Sequence, residues 1–313
     1  MFFRSRSDSA GSPEHTLESF PLRPPLPLPE GVSRKELFDW ITSVRVAGAP
    51  DSIVDYCTQD FERFVQTFGL VQRAAADYPG EMTGLELGGN PYFATMLLKN
   101  FTSIDWRLGN YFGDHIPKGE AHQRVYMNEF RAPENKTHID LAYSHFNIEE
   151  DDFPFDSESL DIVLFCEIIE HLLNDPCAVL RQIKRVLRDN GTLVLTTPNV
   201  NRLENVARMI VGANIYDPYS GYGPYGRHNR EYNKHELFEL LSYLGFTVDE
   251  IFTADVHDNA TSSYLDPKKF GQLIKYREHD LGQYIFVRAR KTGEDKGKKP
   301  SWLYRSYDPS ELE

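Results

Sequence analysis

Cysteine is scarce in this sequence: Cys57, Cys166 and Cys177 are the only three among 313 residues. They form neither a CxxC pair nor the spacing of a zinc site, which argues against a disulfide framework and indicates reduced thiols. Long apolar runs are also lacking, because no stretch approaches the roughly 18 to 20 residues that cross a bilayer. The first 15 residues lack the apolar core of a secretory signal. These absences predict a cytoplasmic protein without a membrane span.

Positive charge is in deficit as well. The sequence has 34 Lys and Arg against 47 Asp and Glu, a net charge of -13. Such a charge repels phosphate backbones at long range, which predicts no nucleic-acid partner and favours a small or neutral one. The Lys/Arg-rich segment 288–299 is interrupted by glycine and acidic residues, so we expect a solvated segment there rather than an anion-binding patch.

Composition and patterning divide the chain into four segments. The sequence is polar and then proline-rich up to Gly31, which is typical of an extended spacer, with a ligand for an SH3-type domain as the alternative. A capping box of Ser33 and Glu36 starts a helix that runs to about Val46, and a second helix is expected over about 52–77. The segments are a flexible proline-rich arm (1–31), an N-terminal helical cap (32–83), a central α/β domain (84–291) and a C-terminal tail (292–313).

From Gly84 onward strand-like and helix-like segments alternate, which is typical of a doubly wound, mostly parallel sheet in an α/β fold. Residues 124–146 instead have the pattern of a hairpin turning at 132–135, and one of its strands is expected to be the third strand of the sheet. Strands are predicted over 84–87, 104–109, 160–166, 192–197, 246–253 and 283–290, and helices over 175–187 and 234–244.

Small and polar residues follow four predicted strands at the point where each strand ends. The first strand runs into ELGGNP (86–91), the second ends before Asn110, the third runs into FNIE and the fourth into CEIIEH. In an open parallel sheet, ligands bind at the carboxyl ends of the strands. The glycines allow a ligand to approach the backbone, and Asn90 with Pro91 predicts the cap and first residue of a helix with free N–H groups. A ligand site is therefore expected at this edge.

In this order the segments resemble the class I S-adenosylmethionine-dependent methyltransferases. The resemblance covers about 84–253 and is carried by the ELG turn, FPFDSESLDIVLFCEIIEHLLNDP and RVLRDNGTLVLTTPN, which occur together in register. It implies a Rossmann-like methyltransferase domain with a seven-stranded sheet, an antiparallel last strand and a β-hairpin insertion. It also implies S-adenosyl-L-methionine as cofactor and S-adenosyl-L-homocysteine as product.

The resemblance further implies roles for individual residues. Further glycines are common in the family where this chain has Asn90 and Tyr92, and an acidic residue is common at Asn110, for which Asp105 is the alternative if the second strand ends earlier. The implied cofactor-binding residues are Glu86, Gly88, Gly89 and Asn90 in the turn, Asn110 at the ribose, Asn147 with Ile148 or Glu149 beside the adenine, and Cys166 and Glu167 at the methionine end.

Two histidines and one loop are the candidates for activating and binding the methyl acceptor. A histidine is suited to removing a hydroxyl proton near neutral pH, and His171 and His228 are the catalytic candidates, although His171 alternatively packs against its helix or caps it. The loop 221–232 is glycine-rich, aromatic and polar, which favours either a lid over the acceptor or a surface loop held by Arg/Glu pairs and buried tyrosines. Predicted substrate-binding residues are Tyr222, Tyr225, Arg227 and Arg230, and the spacing of the remaining histidines predicts no metal site.

Methyl transfer from a sulfonium is an in-line displacement, in which the protein mainly aligns donor and acceptor. We expect methylation of oxygen, with nitrogen and carbon as alternatives, on a small molecule or glycan. Two other functions stay open: a non-catalytic S-adenosylmethionine-binding scaffold, and an NAD-dependent oxidoreductase, since Rossmann dehydrogenases share a glycine turn. Tyr92 occupies the place where a dinucleotide pyrophosphate favours a small residue.

Overall fold

The computed structural model describes residues 26–275 and 277–313. The predicted proline-rich arm therefore lies outside the described residues, apart from 26–31. Within the described ranges one mixed sheet of nine strands organises the chain, in the order β1, β4, β5, β3, β2, β6, β7, β9, β8. The strands are β1 Arg45–Val46, β2 Thr83–Leu87, β3 Asp105–Asn110, β4 Gly119–Glu129, β5 Ala132–His145, β6 Leu160–Cys166, β7 Leu187–Pro198, β8 Phe246–Ala254 and β9 Tyr284–Lys291.

The middle of the sheet is parallel. Strands β5, β3, β2, β6 and β7 are parallel neighbours, and β9 lies antiparallel between β7 and β8. This order confirms the predicted Rossmann-like α/β fold, its antiparallel last strand and its third strand. The strand order changes direction at β2: β3 and β5 follow on one side of it, and β6 and β7 follow on the other. The carboxyl ends of the strands at this switch point frame a crevice.

The sheet is wider than the predicted seven strands, because the hairpin partner β4 remains in it and β1 pairs with the outer edge of β4. The hairpin turns at Phe130 and Arg131, so the predicted turn at 132–135 is wrong. The ladder shifts there: Asn128 faces Lys136, whereas Glu129 faces Ala132. Residues 133–135 therefore form a bulge, which accommodates a proline because it interrupts the ladder.

Helices cover both faces of the sheet. α1, α2 and α3 share a hydrophobic core with one face, and α4 and α6 share a second core with the other. The residues predicted as an N-terminal cap thus form part of a layer on the sheet, and the capping box of Ser33 and Glu36 is confirmed. The helices are α1 Arg34–Ile41, α2 Ile53–Ala76, α3 Phe93–Phe101, α4 Pro176–Val186, α5 Leu203–Val211, α6 Lys234–Tyr243 and α7 Gly271–Ile274.

The helix after the glycine turn begins later than predicted. α3 starts at Phe93, and Tyr92 precedes it in the left-handed conformation with φ 68°. The Tyr92 ring is fully buried, and its hydroxyl accepts a hydrogen bond from Nδ2 of Asn110 at 3.2 Å. Packing of this aromatic side chain overrides the local capping preference, so the prediction that Asn90 caps the helix and Pro91 opens it is wrong.

The C-terminal segment is largely exposed but is anchored to the domain. Nε of Arg181 on α4 lies 2.5 Å from Oδ2 of Asp295, and the Tyr304 hydroxyl donates to Oδ1 of Asp175 at 2.5 Å. At the start of the basic segment 288–299, Nε of Arg288 on β9 donates to a glutamate of β8 at 2.8 Å. Part of the basic charge predicted to be solvated is therefore used in local ion pairs.

Replacement of Gly84 by alanine should destabilise the fold. A Cβ at Gly84 would lie 2.6 Å from the Trp106 ring, which is packed into the core and cannot move aside freely. We expect Gly84→Ala to lower the free energy of unfolding by about 1–3 kcal/mol, measured from urea denaturation. Gly271→Ala is the control, because an added Cβ there meets nothing within 4 Å, and it should change stability by less than about 0.5 kcal/mol. Equal stability of the two variants would contradict this account.

Candidate functional site

The turn after β2 is built for close backbone approach. Gly88 has a left-handed backbone with φ 66°, and a Cβ there would lie 2.9 Å from Cδ1 of Ile168. Gly89 lies against Thr95, whose hydroxyl would be 3.0 Å from an added Cβ. Glycine tolerates both constraints because it has no side chain. Because these two residues are glycines, the backbone of the turn packs closely against Ile168 and Thr95, which a larger residue would displace.

Glu86 is buried beneath this turn, where its Oε2 accepts a hydrogen bond from the Thr95 hydroxyl at 2.5 Å. Burial raises the pKa of Glu86 to about 7, although the Thr95 hydrogen bond and the charge of Lys99 act in the opposite direction. The carboxyl group therefore changes its charge near neutral pH.

A cleft of about 190 Å³ opens where β2, β3, β5 and β6 end, and we call it the strand-end cleft. Four of the predicted cofactor-binding residues, Glu86, Gly89, Asn90 and Cys166, do not line it. The predicted residues that do line it are Gly88, Asn110, Asn147, Ile148, Glu167, His171 and Tyr225. The structure thus brings seven predicted site residues, from loops distant in sequence, to one cleft.

Asn110 faces the glycine turn as well as the cleft. Its Oδ1 accepts from the backbone N–H of Asn90 at 3.4 Å, while its Nδ2 donates to the Tyr92 hydroxyl at 3.2 Å. Asn90 and Tyr92, which differ from the residues common in the resembled family, are therefore both hydrogen-bonded to Asn110, which differs from it as well. Asn90 itself is exposed, and its backbone N–H provides this contact.

Asn147 and two tyrosines form the far wall of the cleft. Nδ2 of Asn147 lies 3.4 Å from the Tyr225 hydroxyl, and the Tyr225 ring contacts that of Tyr111 edge to face with centroids 6.0 Å apart. The Tyr111 ring also stacks against His145. Tyr225, which the sequence assigns to the acceptor, thus lies beside the residues assigned to adenine.

Glu167 and Cys166 end β6 in different environments. Glu167 adopts a left-handed backbone with φ 55°, and its Oε1 accepts from the Thr196 hydroxyl at 2.8 Å. Burial raises the pKa of Glu167, and the charge of Arg63 opposes that rise. Burial likewise raises the pKa of Cys166 to about 12, so this side chain is a neutral thiol.

Arg63 is a buried charge that α2 brings to the same edge. Its Nε lies 3.3 Å from Oδ1 of Asp60, it donates to the Tyr56 hydroxyl, and its guanidinium lies 5.8 Å from the Tyr284 ring centroid. The neighbouring acidic groups raise the pKa of Arg63 against the effect of burial. Arg63 therefore supplies a permanent positive charge beside Glu167.

His171 and His228 meet at the end of the cleft, with ring centroids 5.1 Å apart. Nδ1 of His171 donates to the carbonyl of Arg227 at 2.9 Å, and burial followed by the charge of His228 lowers the pKa of His171. Nδ1 of His228 lies 2.9 Å from Oε1 of Glu231, whose negative charge outweighs burial and raises the pKa of His228. The two predicted catalytic residues are therefore adjacent.

Glu170 lies beside the two histidines and is fully buried. Its Oε2 accepts from the Thr197 hydroxyl at 2.9 Å, and its Oε1 is 3.8 Å from Nε2 of His171. Burial, reinforced by Glu167, raises the pKa of Glu170 well above its ordinary value.

A second and larger cavity, of about 400 Å³, lies beyond His228 at the ends of β7 and β9, and we call it the polar cavity. Its walls carry polar groups that bond to one another: Nη1 of Arg202 donates to Oε2 of Glu231 at 2.6 Å, and Nε2 of Gln283 donates to Oε1 of Glu204 at 3.0 Å. The cavity therefore presents both hydrogen-bond donors and acceptors.

The loop 221–232 is held against the site by its backbone. The tip residue Tyr222 is 93% exposed, Arg227 donates to Asn229, and Arg230 pairs with Glu236. The predicted substrate-binding residues Tyr222, Arg227 and Arg230 therefore line neither the strand-end cleft nor the polar cavity. This arrangement matches the alternative of a loop held by an Arg/Glu pair.

Several residues of the site escaped the sequence analysis. Tyr111 follows Asn110 directly, and its position just after a strand was a usable signal. Arg63 shares its helix face with Asp60, Gln66 and Thr67, so the sequence contains no sign that this charge is buried. Glu170 gave no local signal, because its burial depends on the distant loop that covers it. The other cleft residues outside the sequence predictions are Leu87, Gly109, Phe146, Ile168 and Leu172.

A family model described as a methyltransferase domain matches residues 61–251, which are 191 of the 313 residues. The match starts within α2 and ends within β8, so it spans both layers and every strand that frames the strand-end cleft. Among curated proteins, no sequence matches the chain.

Solved structures with a similar chain trace include three methyltransferases. An S-adenosylmethionine-dependent methyltransferase from Archaeoglobus fulgidus is 18% identical, with a TM-score of 0.43, over 71% of this chain and 91% of that one. One from Aquifex aeolicus is 13% identical, with a TM-score of 0.37, over 71% and 89%. Phosphoethanolamine N-methyltransferase 2 from Haemonchus contortus is 12% identical, with a TM-score of 0.41, over 72% and 52%.

No helix within residues 26–275 and 277–313 is both long enough and apolar enough to cross a bilayer.

Glu86 should make stability depend on pH. Its pKa is about 7 in the folded protein against 4.5 ordinarily, so the folded state binds more protons between these values and stability falls as pH rises through this window. Glu86→Gln mimics the protonated form and removes this loss. We expect the free energy of unfolding of the variant, relative to the unmodified protein, to rise by about 2–3 kcal/mol from pH 5 to pH 8.

The measurement is urea denaturation of both proteins at each pH without added ligand. Glu81→Gln is the matched control, because Glu81 is exposed. A difference between Glu86→Gln and the unmodified protein that stays constant with pH would show that Glu86 is not held in this way.

Proposed function

The chain belongs to the methyltransferase domain family, and we propose that it transfers the methyl group of S-adenosylmethionine to a hydroxyl oxygen of a small polar molecule or glycan. The observation that carries this proposal is the strand-end cleft, which gathers the ends of four parallel strands beside a glycine turn. Ligands of open α/β sheets bind at such an edge. The proposal assigns the cleft to the cofactor and the polar cavity to the acceptor.

The walls of the cleft suit the parts of S-adenosylmethionine. Ile148, Leu172 and the ring of Tyr111 supply apolar and aromatic surface for adenine. Asn110 supplies an amide for the ribose hydroxyls, and the backbone turn at Gly88 supplies space for the methionine end. In this assignment Glu86 and Gly89 support the turn from the side away from the cleft. Cys166 is the last residue of β6 and does not contact the cofactor.

The polar cavity favours a hydroxylated acceptor. Its walls are rich in hydrogen-bonding side chains, among them Arg202, Glu231 and Gln283, so a polyhydroxylated molecule finds both donors and acceptors there. His171 lines the strand-end cleft and His228 lines the polar cavity, so the adjacent rings mark where donor and acceptor meet.

The reaction needs alignment and removal of one proton. A lone pair of the acceptor oxygen forms the new bond to the methyl carbon, and the electrons of the breaking carbon–sulfur bond return to sulfur, which changes from sulfonium to neutral thioether. The hydroxyl proton is lost to solvent. We assign activation of that hydroxyl to His171 and His228, and alignment to the walls of the two cavities.

The alternatives are weaker on physical grounds. An NAD-dependent oxidoreductase favours a third small residue at the turn, whereas this chain has Tyr92 there, with its ring packed into the core. A non-catalytic scaffold would have no need for a second cavity that adjoins the first at a pair of histidines.

Binding of adenosyl ligands should depend on Tyr111. We expect micromolar binding of S-adenosylmethionine and S-adenosylhomocysteine by isothermal titration, and no binding of NAD. Tyr111→Ala should weaken both adenosyl ligands about 10-fold, because it removes aromatic surface from the cleft. Tyr111→Phe keeps the ring and should stay within about twofold.

Tyr216→Ala is the surface control, since Tyr216 is exposed. Absence of adenosyl binding in the unmodified protein would rule out both the enzyme and the scaffold, and selective binding of NAD would favour the oxidoreductase. Equal weakening by Tyr111→Phe and Tyr111→Ala would show that the hydroxyl, not the ring, contributes.

Turnover should depend on His228 separately from cofactor binding. With a hydroxylated acceptor found by screening, we expect His228→Ala to lower kcat/KM by at least about 100-fold, because the hydroxyl loses its activating group. The affinity for S-adenosylhomocysteine should change little, since His228 does not line the strand-end cleft. His122→Ala, at an exposed position on β4, is the matched control. A product methylated on nitrogen or carbon would contradict the assignment to oxygen.

A further inference from the structure

We propose that Glu170, His171 and His228 form a binding site for a divalent transition-metal ion between the strand-end cleft and the polar cavity. One potential ligand atom from each residue lies within 4.8 Å of those from the other two. The sequence predicts no metal site here, because His171 and His228 are 57 positions apart and only the fold brings them together.

The chemistry of the ligand set suits such an ion. Two imidazole nitrogens and one carboxylate oxygen are ligands preferred by Zn²⁺, Fe²⁺ or Mn²⁺, and three protein ligands leave positions open for a substrate. Bonds of about 2.1 Å in tetrahedral geometry hold ligand atoms about 3.4 Å apart. The farthest pair of the three atoms therefore needs to approach by no more than about 1.4 Å to reach this spacing.

Both histidines are oriented as metal ligands are. Nδ1 of His171 donates to the carbonyl of Arg227, and Nδ1 of His228 donates to the carboxylate of Glu231, each at 2.9 Å. Ligating histidines commonly donate their second ring N–H to a carbonyl or carboxylate, which fixes the ring and its tautomer. In neutral His171 and His228 the lone pair is therefore on Nε2. Glu231 and the Arg227 carbonyl act as positioning groups.

Glu170 supplies the independent observation. This side chain is fully buried, and its Oε1 has no hydrogen-bond partner among the described residues. The 3.8 Å from Oε1 to Nε2 of His171 is too long for a hydrogen bond. A buried carboxyl oxygen left without a partner is costly, and a cation bound between it and the two imidazoles removes that cost.

This inference rests on the proposed function and deepens it. His171 borders the strand-end cleft and His228 borders the polar cavity, so an ion held by both lies where the acceptor hydroxyl must face the methyl group. A hydroxyl oxygen bound to the ion loses its proton to solvent more readily, because the positive charge stabilises the alkoxide. The oxygen lone pair then forms the bond to the methyl carbon, and the carbon–sulfur electrons return to sulfur.

The test is isothermal titration of the full chain, freed of metal with EDTA, with Zn²⁺ and separately with Mn²⁺. We expect one equivalent to bind. Glu170→Gln and His228→Ala should weaken binding by at least about 100-fold, whereas Glu231→Gln, which changes the group behind His228 and leaves all three ligands in place, should weaken it about 10-fold. His122→Ala, at an exposed histidine, should change it by less than about twofold.

Titration of each variant with S-adenosylhomocysteine separates loss of metal binding from loss of fold or function. Retained binding of this ligand by His228→Ala, together with lost binding of metal, supports the site. Metal binding that is absent in the unmodified protein, or unchanged in both Glu170→Gln and His228→Ala, overturns it. If S-adenosylhomocysteine still binds in those cases, the metal site fails alone, whereas loss of that binding in the unmodified protein overturns the proposed function as well.

Discussion

Parallel pairing of β5, β3, β2, β6 and β7 is the constraint on which the site depends. Leu87 faces Gly109 of β3 on one side and Phe165 of β6 on the other, so three strands end level with one another. The pairing of Asn110 with His145 extends this edge to β5. Backbone hydrogen bonds, rather than side-chain contacts, therefore set the distances between loops that are far apart in sequence. The cleft is a consequence of strand register.

Burial of charge at this edge is the second constraint. Glu167 and Glu170 lie three residues apart, the first half-buried and the second fully buried, which is unfavourable for carboxylates without compensation. Arg63 supplies part of that compensation from α2, and the hydroxyls of Thr196 and Thr197 each donate to one carboxylate. The N-terminal helices are thus coupled to the site electrostatically. A domain cut at Gly84 would separate the two glutamates from the buried arginine.

The sequence predicted what depends on local pattern and order. The Rossmann-like fold and the methyltransferase family are confirmed, since strand periodicity and the order of the segments are visible in one dimension. The helix start at Asn90 was wrong because burial of Tyr92 is a tertiary effect, and the hairpin turn was wrong because a bulge at 133–135 moved it. Glu170 was missed since only the folded loop buries it. The individual site residues stay predictions, although seven of them line one cleft.

The loop 221–232 holds the site through its backbone and one amide, and three of its side chains line the two cavities. The N–H of Asn229 donates to the Glu170 carbonyl at 2.7 Å, and its Nδ2 donates to the His171 carbonyl at 2.9 Å. The Arg227 carbonyl fixes the His171 ring, and the same loop carries His228. Its exposed aromatic tip contributes none of these contacts. The loop therefore positions the reacting edge and also adds His228 and Glu231 to the polar cavity, whose other walls come from β7, α5 and the residues around β9. Selection for a different acceptor would act on those other walls and leave the contacts of the loop with Glu170 and His171 unchanged.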